Sequence, residues 1–363
     1  MLFNPDVSKS PKEVIFSKKK KQPDHPSLLF NNALIQTCSS EKHLGLILDE
    51  KLNFKQHLDE KISKSMKIIG VIKKLRPILP RHSLISIYKS FVRPHLDYGD
   101  VIYDQPNNHS FSEKIESIQF NSALAITGAI RGSSREKLYN ELGFESLKDR
   151  RWMRRLCYFY KIFYLQSPTY LANNLPSMTI SQRYPNSFSN IRCRTTTFQN
   201  SFFPYSVSQW NQLNSLIRNC KSYPLFRNDL LKLIKPPGNN IYGIHDPLGI
   251  KLLCRLRLGS SHLREHKFRH NFQDTLNPMC SCTLETETTA HFLLRCRNYD
   301  NLRLTLMSEL NYIDSSILLL NDTDLVTLLM YGTNNYNANI NEKILKLCID
   351  YIKHSLRFDE SLF

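Results

Sequence analysis

Residues 54–75 carry their apolar side chains three and four positions apart, which is the spacing of one face of an α-helix. Pro77 and Pro80 follow, so the helix must end near residue 75. A helix with one apolar stripe needs other elements to cover that stripe, so the chain must build a helical core around this segment. The apolar face contains Phe54, Leu58, Ile62, Met66, Ile69, Ile72 and Leu75.

Two further helical segments follow at a short distance. The first covers about residues 81–92, and we expect Leu84, Tyr88 and Phe91 to face inward. The second begins with the capping-box pattern of residues 110–113. Three helices with short links predict a compact antiparallel bundle. The inner side of the third helix is predicted to contain Ile115, Ile118, Ser122, Ala125 and Ile126.

The remaining regions have weaker patterns. Short β-type runs separated by turn signals predict strands over residues 1–52. Residues 134–176 have helical character, whereas residues 177–245 contain mainly Ser, Asn, Thr, Pro and aromatic residues and predict an irregular connector. Its aromatic side chains either form a local core or stack on unpaired bases. We expect Asn339 to cap a last helix that carries Ile340, Ile344, Leu347 and Tyr351.

The charge of the chain is strongly positive. It contains 49 Lys and Arg against 32 Asp and Glu, which gives a formal net charge of +17, spread over several segments. A distributed positive field favours polyanions, because binding releases their counterions. The charge therefore predicts RNA or DNA as a partner, with a soluble protein that is merely basic as the alternative. No P-loop, dinucleotide fingerprint or Ser/His/Asp grouping is present in the sequence.

The nine cysteines and the lack of a long apolar run indicate in which cellular compartment the protein is found. The apolar runs are too short to span a bilayer, and the first residues lack the pattern of a secretory signal. We therefore expect no membrane partner and a reducing location, nuclear or cytoplasmic. In such a compartment the cysteines are core residues or metal ligands rather than disulfides.

Clusters of cationic residues form the candidate contacts to phosphate. Lysines recur along one face of the first helix, and four arginines lie close together in the region 134–176. Residues at i and i+4 share a helix face, and no acidic residue separates the four arginines. They indicate either a phosphate-facing surface or a solvated face that Asp149 partly neutralises. The residues are Lys61, Lys64, Lys67, Arg150, Arg151, Arg154 and Arg155.

The strongest chemical motif is Cys280-x-Cys282, followed by His291 and Cys296, with the spacing C-x-C-x8-H-x4-C. Three thiolates and one imidazole fill a tetrahedral zinc shell and leave no position for a reactive water, so the role would be structural. The one-residue spacer between the first two cysteines is tighter than usual, and ordinary core residues are the alternative. Both His291 and Cys296 reach the ion if they lie near the two ends of one helix.

Asp97, Asp100 and Asp104 form a second group of candidate ligands. Three carboxylates at this spacing could hold Mg²⁺ on one helical face. However, Pro94 and Gly99 disfavour a regular helix there, so we expect a turn whose carboxylates are solvated or paired with arginine.

Two motifs resemble the junction of palm and thumb in the reverse transcriptases of jockey-type non-LTR retrotransposons. They are Lys42-His43-Leu44-Gly45-Leu46-Ile47-Leu48-Asp49 and Arg93-Pro94-His95-Leu96-Asp97-Tyr98-Gly99. The third helix also matches the pattern of the family at Gln119, Ala123 and 126–129. The C-terminal knuckle of that family has the arrangement of the cysteine and histidine motif. Lys9 matches a lysine that lies near the incoming nucleotide in the palm, and the alternative is a solvated loop lysine.

The resemblance implies a nucleic-acid-binding part of an RNA-directed DNA polymerase. In that family a Tyr-x-Asp-Asp turn lies upstream of the junction, and this sequence contains no Asp-Asp pair, so we expect no catalytic residue here. The implied partners are primer and template, in a ribonucleoprotein, and Mg²⁺ would serve only an intact parent polymerase. Alternatives are an inert relic or a binding module adopted by the host. Contacts to nucleic acid are expected from Lys9, His43, Gly45 and the lysines and arginines above.

The predicted fold class is α+β, mainly α, with an antiparallel helical thumb bundle and a small zinc knuckle. The resemblance implies a remnant of palm strands at the N-terminus and an irregular connector after the thumb. The expected domains are 1–52 (palm strands), 53–176 (thumb and following helices), 177–245 (connector), 246–300 (zinc knuckle) and 301–363 (helical tail).

Overall fold

The protein is described from a computed structural model that covers residues 11–21, 23–30, 33–179, 186–235 and 238–358. Lys9 lies outside the described residues, so its predicted contact with nucleic acid stays a prediction. The described chain is mainly helical with a small amount of strand, which confirms the α+β, mainly α class. Within the described ranges, no helix combines the length and the apolar character needed to cross a bilayer.

Short strands occupy the N-terminal part and pair two by two. β1 pairs with β4 in parallel, whereas β2 with β3 and β5 with β6 are antiparallel. The β5–β6 hairpin brings Lys42 opposite Ile47 and His43 opposite Leu46. The strands are β1 (Lys12–Glu13), β2 (Leu29–Phe30), β3 (Ala33–Leu34), β4 (Gln36–Thr37), β5 (Ser40–His43) and β6 (Leu46–Asp49).

Helices make up most of the remaining chain, and the three predicted in the first half are present as α1, α2 and α5. Their predicted packing as one bundle stays a prediction. The α-helices of the described residues are α1 (Lys55–Leu75), α2 (Arg81–Ile87), α3 (Arg93–Asp97), α4 (Asp100–Tyr103), α5 (His109–Thr127), α6 (Arg135–Leu142), α7 (Leu147–Tyr164), α8 (Thr169–Ala172), α9 (Thr196–Gln199), α10 (Phe202–Gln212), α11 (Ser215–Arg218), α12 (Tyr223–Ile234), α13 (Pro247–Arg257), α14 (Arg264–Arg269), α15 (Asp300–Ile313), α16 (Asp322–Tyr331) and α17 (Ala338–His354).

The second predicted helix has a different inner face from the one expected. Phe91 is 60% exposed and Val92 is fully buried, so the prediction that Phe91 faces inward is wrong. The cause is a π-helical turn over Tyr88–Val92, which follows α2 directly. A π-helical turn holds more residues than an α-helical turn, so the next inward position moves from residue 91 to residue 92.

In α1 and α5 the buried faces agree better with the faces predicted from the sequence. The five predicted inner residues of α5 are all buried. On α1, Met66 is the exception, because it is exposed although it belongs to the apolar stripe. The caps differ from expectation. The side chain of Asn108 caps α5 by accepting the Phe111 N–H at 3.1 Å, and Asn337, rather than Asn339, caps α17.

The chain divides into two compact units, and α1 and α5 each contribute residues to both. The first unit consists of residues 1–67, 93–118 and 147–233. Its core is aromatic, with the Trp210 ring 5.3 Å from the Phe159 ring and 5.6 Å from the Phe226 ring. Helices α10 and α12 supply two of these rings, so the prediction of an irregular stretch is wrong there, and these aromatic residues are core residues.

The second unit consists of residues 68–92, 119–146 and 234–363. An apolar cluster of this unit is formed by α13, α15, α16 and α17 together with Phe292 and Leu293, which lie between His291 and Cys296 of the metal motif. Both side chains are fully buried. The motif and the last helices therefore share one core, because the apolar faces of these helices cover each other.

Candidate metal centre and nucleic-acid interface

The first two cysteines of the metal motif lie in a tight turn. An antiparallel bridge joins Met279 to Thr286, and the Cys280 N–H donates to the Glu285 carbonyl at 2.9 Å. Thr283 adopts a positive φ of 64° and donates its N–H to the Cys280 carbonyl at 2.9 Å. This turn brings both sulfurs to one side despite the single intervening residue.

A π-helical turn positions the other two residues of the motif. It spans His291–Arg295, and the Cys296 N–H closes it by donating to the His291 carbonyl at 2.8 Å. An i to i+5 bond places residues five apart one turn from each other, on the same face. His291 at the start and Cys296 just after the end therefore both reach the site, as the four-residue spacer requires.

The four side chains converge on one point. Their ligand atoms all lie within 4.8 Å of one another, with Cys280 Sγ 3.6 Å from Cys296 Sγ and Cys282 Sγ 3.2 Å from His291 Nε2. Tetrahedral zinc bonded to sulfur and nitrogen places its ligand atoms about 3.5 Å apart. The cluster could therefore hold one metal ion, and its donor set is compatible with structural zinc.

The second nitrogen of His291 supports this assignment. Nδ1 is buried, makes no hydrogen bond to any described residue, and lies 3.6 Å from a carboxylate oxygen of Glu285. A histidine that binds metal through Nε2 usually directs Nδ1 toward a carboxylate or carbonyl, which fixes the tautomer. The arrangement leaves the ring poised to bind through Nε2.

The surroundings of the centre are apolar. Phe292 and Leu293, which follow His291, belong to the core of the second unit. The hydroxyl of Tyr351 also donates to the Phe292 carbonyl at 2.7 Å. Packing and hydrogen bonds therefore hold the motif in place.

In the first unit, the two sequence motifs 42–49 and 93–99 contact each other. The Tyr98 hydroxyl donates to the Leu44 carbonyl at 2.5 Å in the β5–β6 turn. Gly45 has a φ of +82°, and a Cβ there would lie 3.1 Å from the Tyr98 ring. Gly99 has a φ of +70°, and a Cβ there would lie 2.7 Å from the Leu46 side chain. Both glycines are therefore required for this contact.

Lysines surround this contact. Lys61 Nζ lies 5.8 Å from the centre of the Tyr98 ring, and Glu60 pairs with Lys64 at 2.5 Å and with Lys42 at 3.7 Å. Partial burial and the charges of Lys64 and Lys42 lower the pKa of Lys61, although Glu60 opposes the shift. We call Lys42, Lys61 and Lys64 the lysine patch; its three cations lie near a single carboxylate, that of Glu60.

Some of the residues that the sequence predicted to contact nucleic acid therefore lie close to one another. His43 ends β5 and Gly45 lies in the turn that follows, both beside the lysine patch, and Lys67 is exposed further along α1. Tyr98 was part of a quoted motif but not a predicted contact. Periodicity could not reveal its role, because Tyr98 meets residues that lie about fifty positions earlier in the chain.

The four arginines do not form a free cationic face. Arg150 pairs with Asp97 at 2.7 Å and Arg154 with Asp100 at 2.7 Å. Arg151 and Arg155 are buried and both pair with Asp104 at 3.4 Å. The sequence places no acid between the arginines, but the fold brings Asp97 of α3, Asp100 of α4 and Asp104, which follows α4, to α7. The proposed phosphate-facing role is therefore wrong for the buried Arg151 and Arg155.

The same contacts decide between the two interpretations of the aspartates. Asp97 ends α3, Gly99 adopts a left-handed conformation, and Asp100 begins α4, so no regular helix runs through them. All three carboxylates are paired with arginine, as expected for the turn. Guanidinium groups occupy the oxygens that a magnesium ion would need.

Comparison of the chain with protein-family models, with curated proteins and with solved structures finds no match. The function must therefore be inferred from the residues and from the geometry of these two sites.

Proposed function

We propose that this chain is the C-terminal, nucleic-acid-binding part of a non-LTR retrotransposon reverse transcriptase. The observation that carries the proposal is the contact between motifs 42–49 and 93–99 through Tyr98. Each motif separately resembles the palm–thumb junction of that family, and the lysine patch of β5 and α1 lies beside their contact. A junction that holds primer and template needs exposed cations on a rigid support, which this contact supplies.

The charge of the whole chain agrees with a polyanionic partner. A formal net charge of +17 attracts RNA and DNA over distances beyond single contacts. In an intact element, the chain would hold primer and template during target-primed reverse transcription, and the aspartates for the reaction would lie upstream of it. This chain alone then binds nucleic acid, in the nucleus or as a cytoplasmic ribonucleoprotein, and adds no nucleotides.

For the cysteine and histidine cluster we propose one structural Zn²⁺. Cys280, Cys282, Cys296 and Nε2 of His291 would fill its shell, so no position remains for water or substrate. The ion would fix the turn over residues 279–286 against the π-helical turn.

The binding proposal is tested with the purified full chain, a labelled RNA–DNA primer–template duplex and fluorescence anisotropy over a range of salt concentrations. We expect affinity to fall steeply with salt. Lys61→Gln and Lys64→Gln should each lower the log–log slope by about one, whereas Lys148→Gln, an exposed lysine of α7, is the matched control and should not.

Two results would contradict this proposal. Affinity that is independent of salt, or equal effects of Lys61→Gln and Lys148→Gln, would remove the lysine patch as the contact. Extension of the primer by the chain with Mg²⁺ and deoxynucleotides would refute the expected lack of polymerase activity.

Zinc is tested by elemental analysis of the full chain purified without added metal. We expect one zinc per chain, lost in Cys296→Ser and retained in Cys193→Ser, which changes a cysteine outside the cluster. A wild-type chain that is folded and free of zinc, or zinc content that is unchanged by Cys296→Ser, would leave the four residues as ordinary core residues.

A further inference from the structure

An apolar cavity of about 640 Å³ lies within the first unit, and no residue of the lysine patch lines it. This volume falls in the range of sites for small ligands. Its walls include three aromatic rings, and Tyr158 is 45% exposed. One carboxylate, that of Asp104, lines it and is already paired with Arg151 and Arg155. The aromatic and apolar walls include Tyr158, Phe202, Phe203, Ile102, Ile162 and Leu171.

A second, polar cleft of about 210 Å³ adjoins the first cavity. Four cationic residues line this cleft, and none of its lining residues is acidic. Arg150 and Arg154 are neutralised by Asp97 and Asp100. The other two cations, Lys161 and Arg227, have no carboxylate within ion-pair distance in the described part of the chain, so the cleft retains a net positive charge.

The two cavities share part of their walls. Tyr158 and Lys161 line both, because they follow Arg154 on one face of α7 at spacings of four and three. Lys161 Nζ lies 4.8 Å from the centre of the Tyr223 ring and 5.8 Å from that of Tyr158. The ammonium group is therefore held at the boundary between an aromatic cavity and a cationic cleft.

We propose that this pair of cavities binds one unpaired nucleotide. The base would enter the larger cavity and stack on Tyr158 or Phe202, because every base has a π-face that aromatic rings accept. The phosphate would enter the smaller cleft, where Lys161 and Arg227 donate charge-assisted hydrogen bonds. A base within a duplex is covered on both faces and could not enter. The inference deepens the proposed function and rests on it for the origin of the ligand.

The ligand chemistry, a base linked to a phosphate, has two sources: a free nucleotide and an unpaired residue of a nucleic acid strand. The experiment uses the full chain and measures binding of adenosine 5′-monophosphate and of adenosine by calorimetry. A short single-stranded DNA with a terminal 2-aminopurine then reports stacking by fluorescence quenching. The primer–template duplex without unpaired bases completes the set.

Arg227→Gln, which changes only the smaller cleft, should weaken binding of the monophosphate about tenfold and leave adenosine binding unchanged. Lys161→Gln should weaken binding of the monophosphate by a similar factor. Ile102→Trp, which fills the larger cavity from its exposed rim, should weaken both ligands and the single strand about tenfold. Phe202→Ala should act in the same direction if the variant retains its helical spectrum. Lys148→Gln and Leu216→Ala, which change exposed residues of the same unit outside the cavities, should have no effect.

The outcomes separate this inference from the proposed function. The inference alone would be overturned by a chain that binds the duplex in a salt-dependent way but does not bind the monophosphate, and whose binding of the single strand is unchanged by Ile102→Trp. Binding of the monophosphate with loss in Ile102→Trp, but no binding of any strand or duplex, would support the site for free nucleotides and overturn the proposed function. Equal affinities for adenosine and its monophosphate, unchanged by Lys161→Gln, would overturn the assignment of the phosphate cleft.

Discussion

Replacing Glu141 by alanine should be among the most destabilising single changes in the second unit. Its side chain is fully buried at the end of α6. The carboxylate accepts hydrogen bonds from Arg81 at 2.6 Å, from Arg257 at 2.9 Å and from Asn239 at 2.7 Å. Glu141 therefore joins α6, α2 and α13 and the segment after α12 through one group.

The magnitude follows from what Glu141→Ala leaves behind. Two buried guanidinium groups lose their carboxylate, and breaking a buried ion pair costs about 3–5 kcal/mol. Part of the loss is offset, because Arg257 still donates to the Met330 carbonyl at 2.7 Å and Arg81 to the Glu141 carbonyl. We therefore expect a loss of about 3–4 kcal/mol in the free energy of unfolding, a large part of the total for a typical domain.

The pH dependence has a defined sign. Burial alone would raise the pKa of Glu141, but the charges of Arg257 and Arg81 outweigh it and hold this pKa below its ordinary value of 4.5. The stabilisation is therefore complete above pH 4.5 and is lost as the pH falls through the lower folded pKa.

The assay is urea unfolding of the full chain by circular dichroism, combined with hydrogen exchange that resolves peptides from α6 and α13. Glu136→Ala is the matched control, because it removes an exposed glutamate from the same helix and should change stability by at most about 0.5 kcal/mol. Equal losses for the two variants, or unchanged exchange in α13, would refute the role of Glu141 as the joining group.

Two other predictions concern His57 and Leu58, which are neighbours on α1. Burial and the charge of Lys61 lower the pKa of His57 from 6.5 to about 4. Between these two pH values the unfolded chain binds a proton at His57 that the folded chain does not, so the folded state loses up to about 3 kcal/mol of stability as the pH falls from 6.5 to 4. His57→Gln should remove this part of the pH dependence of the melting temperature, whereas His43→Gln at the exposed end of β5 should retain it. Leu58→Asp places a charge at a buried position of α1 and should cost about 3–5 kcal/mol, whereas Lys61→Ala should be nearly neutral in thermal melts. Equal effects would mean that the helix faces are wrongly assigned.

The sequence predicted the elements whose signal is local. The 3–4 spacing over residues 54–75 specified α1 because amphipathic periodicity depends only on neighbours along the helix. It failed for Phe91, since a π-helical turn shifts the face without any change of composition. It also failed for α10 and α12, where aromatic residues with weak helical preference are held helical by the core that they form around Trp210.

The metal motif could be recognised in the sequence because its residue types and spacing are chemically specific. Only the fold showed how a one-residue spacer and a π-helical turn bring the four side chains together. The arginines of α7 had the opposite outcome. Their cationic character was evident, but their aspartate partners lie about fifty positions earlier, and no local pattern encodes such a pairing. The sequence by itself determined the helical character, the charge and the ligand set. Tertiary structure decided which cations are neutralised and which, such as Lys161 and Arg227, have no carboxylate partner among the described residues, because ion pairs depend on distances across the fold.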